Sequence, residues 1–207
     1  MQGGNKLIQN IIFDIGQVLA KFRWREYIEA LGFTKDINER IAKATVLSFY
    51  WNEVDRGVMT MPEIIERCVA LDPEIEAEIR LFYKDRKTMV VEFPYAKELV
   101  KGLKDAGYSI YLLSNYGEEN FSYVKDIFTF MPYVDGKIIS YEVKTIKPEP
   151  AIYQALLDTY PIRPEESVFL DDHKDNIEEA EKFGFQTILF TGLDQAKEEL
   201  RRMGVRI

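Results

Sequence analysis

Short apolar runs bounded by polar or turn residues recur along the chain at Ile8–Asp14, Ser109–Ser114, Lys137–Tyr141, Ser167–Asp171 and Thr187–Phe190. Each reads as a β-strand. Helical periodicity lies between most of them. Pro94–Ala106 places Leu99, Val100 and Leu103 on one face and meets Gly107 as a stop signal. Glu149–Thr159 carries Ile152, Ala155 and Leu156, and Asn176–Phe183 carries Ile177 and Ala180 before Gly184. Strands alternating with helices predict an α/β fold, with a mostly parallel sheet covered on both faces.

One interval breaks the alternation. Between Phe22 and Val91 the pattern is helical throughout, with breaks at Gly32, Gly57 and Pro73. The expected organisation is a core built from residues 1–21 and 92–207, with residues 22–91 inserted as an α-helical unit. In open α/β sheets ligands bind outside the carboxyl ends of the strands. An insertion leaving the end of the first strand stands over that position, where it can govern substrate choice and exclude water.

The chain has 207 residues, 46% apolar and 13% aromatic, enough for a packed core. No apolar run approaches the roughly 18–20 residues that cross a bilayer, and the start MQGGNKLIQN lacks a basic-then-apolar signal pattern. The expectation is a cytoplasmic protein with no membrane partner. Cys68 is the single cysteine, so no internal disulfide forms; it falls in a helical pattern and is expected to be buried and inert. A net charge of −8 and the lack of a basic stripe argue against nucleic acid. Arg201, Arg202 and Arg206 read as charge bias at a helix C-terminus. An acidic protein handling an anionic substrate must concentrate positive charge locally, which directs attention to a metal and a few lysines.

Polar residues stand where buried strands end. Asp14 follows Ile11, Ile12 and Phe13; Ser114 and Asn115 follow Tyr111, Leu112 and Leu113; Asp171 and Asp172 follow Val168, Phe169 and Leu170. Lys147, before Pro148, follows the Lys137–Tyr141 strand by a short loop. Singly, Asp14 and Ser114–Asn115 read as turn formers or helix caps, and Lys147 as a solvated charge. The Asp171–Asp172 pair differs, because adjacent carboxylates repel unless a cation or base lies between them. Together these residues match the needs of phosphoryl transfer: a nucleophile, a bridging cation and donors for the phosphate oxygens. Mg²⁺ suits such a carboxylate set.

The segments FDIGQVL, LLSN, KP and FLDDHKDN resemble, in order and rough spacing, the four signatures of the haloacid dehalogenase-like hydrolases. The resemblance implies a Rossmann-like, doubly wound core and a C1-type cap for the helical insertion. It also implies an activity, phosphatase action on a small phosphate ester, with Mg²⁺ as cofactor. By the same resemblance Asp14 is the nucleophile and a metal ligand, and the Gly16 carbonyl is a second ligand. Asp172 is the direct carboxylate ligand, and Asp171 binds a metal-bound water or Lys147. Ser114 and Asn115 hold the phosphate, and Lys147 neutralises the nucleophile and the transferring group. Asn176 either supports this set or caps the helix that follows it.

The sequence departs from the family pattern at Gly16, where most of the family's phosphatases carry a second aspartate that protonates the leaving group. General acid–base assistance of about 10²–10⁴-fold is lost there. The glycine keeps open a metal-free 2-haloacid dehalogenase, although the acidic pair of FLDD speaks for metal and phosphate. It also keeps open a binding or regulatory protein that has lost turnover. FDxGxVL resembles a subgroup containing sugar-phosphate phosphatases and the phosphatase domains of soluble epoxide hydrolases. His173 reads as the missing acid–base or as a loop residue facing solvent. The polar stretch Trp51, Asn52, Glu53, Asp55, Arg56 and Gly57 reads as a break between helical stretches. C1 caps use such a loop to touch substrate, which makes Arg56 the candidate contact. Phe22, Tyr50 and Trp51 read as core or as a substrate-lining wall.

Overall fold

The computed structural model describes residues 7–207, so the first six residues of the expected core segment, and most of the start read for a signal, lie outside the described residues. β1 (Asn10–Phe13) is followed by a tight turn and β2 (Ala20–Phe22). Five helices come next: α1 (Trp24–Ala30), α2 (Lys35–Ala44), α3 (Phe49–Arg56), α4 (Met61–Leu71) and α5 (Glu76–Lys84). The chain returns through β3 (Val90–Glu92), α6 (Ala96–Asp105), β4 (Ser109–Ser114) and α7 (Glu118–Val124). It continues as β5 (Gly136–Ile139), α8 (Ser140–Val143), α9 (Pro150–Thr159) and β6 (Ser167–Asp171). It closes with α10 (Lys174–Lys182), β7 (Gln186–Leu189) and α11 (Leu193–Arg202).

The main sheet has the order β5-β4-β1-β6-β7, and its pairings are parallel. The chain winds outward from β1 through β4 to β5, then restarts on the other side at β6. This is a Rossmann-like, doubly wound order, and the direction reverses beside β1. Side-chain alternation sends Ile11, Phe13, Leu112 and Leu170 into one core with α6 and α11. Ile12, Tyr111, Leu113 and Phe169 face the other core with α9 and α10. Because both faces are covered, β1 and β6 are buried along their length.

The helical insertion has its own apolar cluster, centred on Ile41, Ile64, Cys68, Ile79 and Phe82. Thr34 caps α2, and Thr60 with Glu63 forms a capping box on α4. Three features differ from the sequence reading. The strand expected over Lys137–Tyr141 ends at Ile139, and Ser140–Val143 is the helix α8 in place of a strand end and loop. β2 and β3 pair antiparallel at the two ends of the insertion, as strands too short to leave a periodic signature. The polar stretch around Arg56 is a helix, α3, ended by Gly57 at φ +67°. Cys68 is fully buried, with Sγ 3.2 Å from the Tyr83 hydroxyl. Arg201 and Arg202 lie in the last turn of α11. Among the described residues no helix is long and apolar enough to cross a membrane.

Candidate active site

β1, β4 and β6 are adjacent and parallel, so the polar residues at their carboxyl ends converge. Asp14 is anchored by its backbone N–H, which donates to the Leu170 carbonyl at 2.9 Å. Its Oδ1 accepts from the Ser114 hydroxyl at 2.7 Å and lies 2.8 Å from Lys147 Nζ. The same ammonium donates to Asp171 Oδ2 at 2.6 Å. Asn176 Nδ2 reaches both oxygens of Asp171 at 3.0 Å, and the His173 N–H donates to Asp171 Oδ1 at 2.8 Å. Asp171 is thus the strapped member of the acidic pair, and the Asp172 side chain keeps 24% exposure.

Lys147 is fixed from behind. Asn115 donates from Nδ2 to the Lys147 carbonyl at 3.0 Å and accepts the Lys147 N–H on Oδ1 at 2.8 Å. One amide side chain therefore holds both backbone polar groups of the lysine.

Burial pushes the Asp14 carboxyl up to about 6, with Lys147 opposing and Asp171 adding to the rise. Burial raises Asp172 as well. Burial also works against the Lys147 charge, but Asp14 and Asp171 outweigh it and hold the ammonium above its ordinary value.

Asp14, Asp171 and Asp172 each offer an oxygen within 4.8 Å of the others. Three carboxylates against the Lys147 ammonium leave two negative charges, which is the deficit a divalent cation fills. An all-oxygen donor set with one exposed member suits a hard, partly hydrated ion. The residues present therefore fit such a cation.

A cavity of about 110 Å³ opens beside this centre, with Gly16 and Asn115 in its wall. Phe22 and Trp51, stacked with centroids 5.6 Å apart, and the polar residues Asp55, Arg86 and Asn120 also line it. Tyr50 instead packs against the insertion's core and Phe49. Burial pushes Asp55 up to about 7; the Gly117 N–H and Arg86 oppose the rise, and Asp14 adds to it.

The Arg56 guanidinium is held by the Glu149 carboxylate, Nη1 to Oε2 at 2.7 Å and Nη2 to Oε1 at 2.6 Å. Glu53 lies at 3.3 Å on its Nε. The cavity faces α3 through Trp51 and Asp55. His173 is 76% exposed, with Nε2 4.0 Å from Asp172 Oδ2. Sequence reasoning placed Asp55 in the polar stretch expected to touch substrate but chose Arg56 from it, and it did not single out Arg86 or Asn120. The available signal was an arginine just before the apolar return strand in DRKTMVV.

Strand order and acidic centre together define a Rossmann-like α/β protein with a polar site at the carboxyl edge of its sheet. A family model described as haloacid dehalogenase-like hydrolase matches residues 8–184, and the chain belongs to that family. It is 31% identical over 140 residues to bifunctional epoxide hydrolase 2 of Mus musculus, a match covering 66% of this chain and 25% of that protein. It is 31% identical over 96 residues to (S)-2-haloacid dehalogenase 4A of Burkholderia cepacia, covering 46% and 42% of the two chains. The chain thus spans less than half the length of either relative. D-ribitol-5-phosphate phosphatase of Bacteroides thetaiotaomicron is 24% identical over 198 residues, covering 87% and 91%. A solved HAD family enzyme from the same organism superposes with a TM-score of 0.74 at 26% identity, over 94% and 99% of the two chains. Its complex with magnesium and inorganic phosphate gives 0.68 at 26% identity, over 87% and 93%.

Proposed function

We propose that the protein is a magnesium-dependent phosphatase that hydrolyses small phosphate monoesters through an aspartyl-phosphate on Asp14. The observation that carries this reading is the acidic trio itself: three carboxylates within 4.8 Å, under-neutralised by one buried lysine. The structural neighbour crystallised with magnesium and inorganic phosphate supports it.

In this reading Asp14, Asp172 and the Gly16 carbonyl hold Mg²⁺, which when bound draws charge from the phosphate and keeps Asp14 ionised. Asp14 attacks phosphorus and the ester oxygen leaves, taking a proton from solvent water in the absence of a donor at Gly16. Water then attacks phosphorus, gives its proton to solvent and cleaves the acyl-phosphate bond to return the carboxylate. Ser114 and Asn115 position the phosphate. Lys147 balances charge on Asp14 and on the transferring group, and Asp171, fixed by Asn176, keeps the ammonium aimed at Asp14. Residues 22–91 act as the cap that closes over the substrate. Small polyol and sugar phosphates are the proposed substrates, in keeping with the ribitol-phosphate relative.

A second reading, metal-independent dehalogenation, draws on Gly16 and on the Burkholderia cepacia relative. It gives Asp171 its ion pair with Lys147 but leaves the carboxylate of Asp172 without a role. Phosphate release from p-nitrophenyl phosphate, with Mg²⁺ and with EDTA, separates the two. The phosphatase reading expects release that EDTA abolishes and that Asp14→Asn lowers by at least a thousandfold. Metal-independent chloride release from a 2-haloacid, with no phosphate release, contradicts it.

A further inference from the structure

Arg86 sits between α5 and β3, where the chain leaves the helical insertion. Its residue is 2% exposed and its side chain 1%. Nη2 donates to Glu119, and the guanidinium lies 5.0 Å from the Tyr83 ring centroid. Nε and Nη1 are buried and have no acceptor. A guanidinium carries five N–H donors, so three of them are left open. A buried donor without an acceptor is costly, and an arginine this enclosed is normally fully paired.

These open donors belong to a residue that lines the same cavity as Gly16 and Asn115. The group leaving from a phosphate held against Asp14 has this cavity next to it. Asp55 lines it too, close enough for Asp14 and Arg86 to act on its charge. Arg86 and Asp55 therefore line one cavity, and no ion pair joins them among those of the described residues.

We infer that Arg86 is a specificity-determining residue, turning its unpartnered Nε and Nη1 to hydroxyl oxygens when a small polyhydroxylated leaving group fills the cavity. The chemistry favours hydroxyls over a second anion. Glu119 already balances the arginine, and an added anion would sit beside the carboxylates of Asp55 and Asp14. A hydroxyl can accept from Arg86 while its neighbour donates to Asp55. The aromatic pair Phe22 and Trp51 offers an apolar wall for the C–H face of such a chain. This assignment rests on the phosphatase reading above.

The test compares Arg86→Met with wild type on three esters in Mg²⁺. Methyl phosphate carries no hydroxyl on its methyl group, D-ribitol 5-phosphate presents several, and 3-phosphoglycerate presents a second anion. The expected result is a fall of at least tenfold in kcat/KM for D-ribitol 5-phosphate, with methyl phosphate within twofold of wild type. The methyl phosphate rate doubles as the control for folding. An equal fall on both esters, or no fall on either, overturns the inference. A fall confined to 3-phosphoglycerate also overturns it and assigns the site to a second anion. Should wild type turn over none of the three, the phosphatase reading fails separately. The contact is then read by calorimetry of D-ribitol 5-phosphate binding to Asp14→Asn in Mg²⁺, with and without Arg86→Met. Tenfold weaker binding upholds it, and absent or unchanged binding overturns it.

Discussion

A Cβ added at Gly16 would lie 3.6 Å from Asp14 Oδ2, an ordinary contact, and the residue is not among the glycines with positive φ. Neither backbone conformation nor space therefore imposes glycine there. Gly16→Asp should fold and supply the missing proton donor. Steady-state assays are expected to show kcat for methyl phosphate rising a hundredfold or more, within the range of about 10²–10⁴ typical of general acid–base assistance. With p-nitrophenyl phosphate, whose leaving group departs without a proton, the rate should change less than threefold. A fall on both esters would show that a carboxylate at 16 disturbs the centre. At this scale the site was partly legible. Ser114 and Asp171 end buried strands, Asp14 directly follows one and Asn176 comes five residues after another, so polarity stood out against apolar neighbours. Lys147 was found by the Lys-Pro pair instead. Asp55 and Arg86 offered no such contrast. Each lies in a charge-rich stretch of the insertion, and its burial exists only once the insertion has docked.

The element that docks the insertion is α3. The Ser140 hydroxyl donates to the Asp55 carbonyl at 2.6 Å, and a Cβ on Gly117 would come within 2.6 Å of Val54 Cγ1. Arg56 reaches across from α3 to Glu149 at the start of α9, and this pair holds the Glu149 carboxyl down at about 2, below its ordinary 4.5. A depressed carboxylate stabilises the fold above its unfolded pKa, and the contribution fades as pH falls from about 4.5 toward 2. Glu149 keeps 41% side-chain exposure, so solvent screening limits the effect to about 1 kcal/mol. Glu149→Gln is therefore expected to lower unfolding stability by that amount at pH 7 and to match wild type near pH 2, as read by denaturant titration. An equal difference at both pH values would exclude the ion pair as the cause. The longer elements were readable from periodicity. β2 and β3 were not, at three residues each, because so short a stretch carries no alternation to detect. α3 reads as a loop because its polar residues face the core's site rim and partners such as Glu149 instead of open solvent.

Across the whole molecule, a chain of net charge −8 gathers three of its carboxylates at one point, with a single lysine between two of them. That repulsion is relieved when a divalent cation binds the folded state, and binding to the folded state alone stabilises it by mass action. At a hundredfold excess over Kd the gain is about 2.7 kcal/mol, which for a chain of this size raises Tm by about 5–10 °C. Differential scanning calorimetry in MgCl₂ and in EDTA should show this difference for wild type, and Asp172→Asn should lose most of it. A Tm indifferent to Mg²⁺ would remove the cation from the account. The most direct measurement of the central claim is acid quench of wild type mixed with excess p-nitrophenyl phosphate and Mg²⁺, followed by mass spectrometry of the peptide containing Asp14. One phosphoryl group on that aspartate is expected, absent in EDTA. Phosphate release that persists undiminished in Asp14→Asn, with no phosphoryl group on the wild-type peptide, would contradict it.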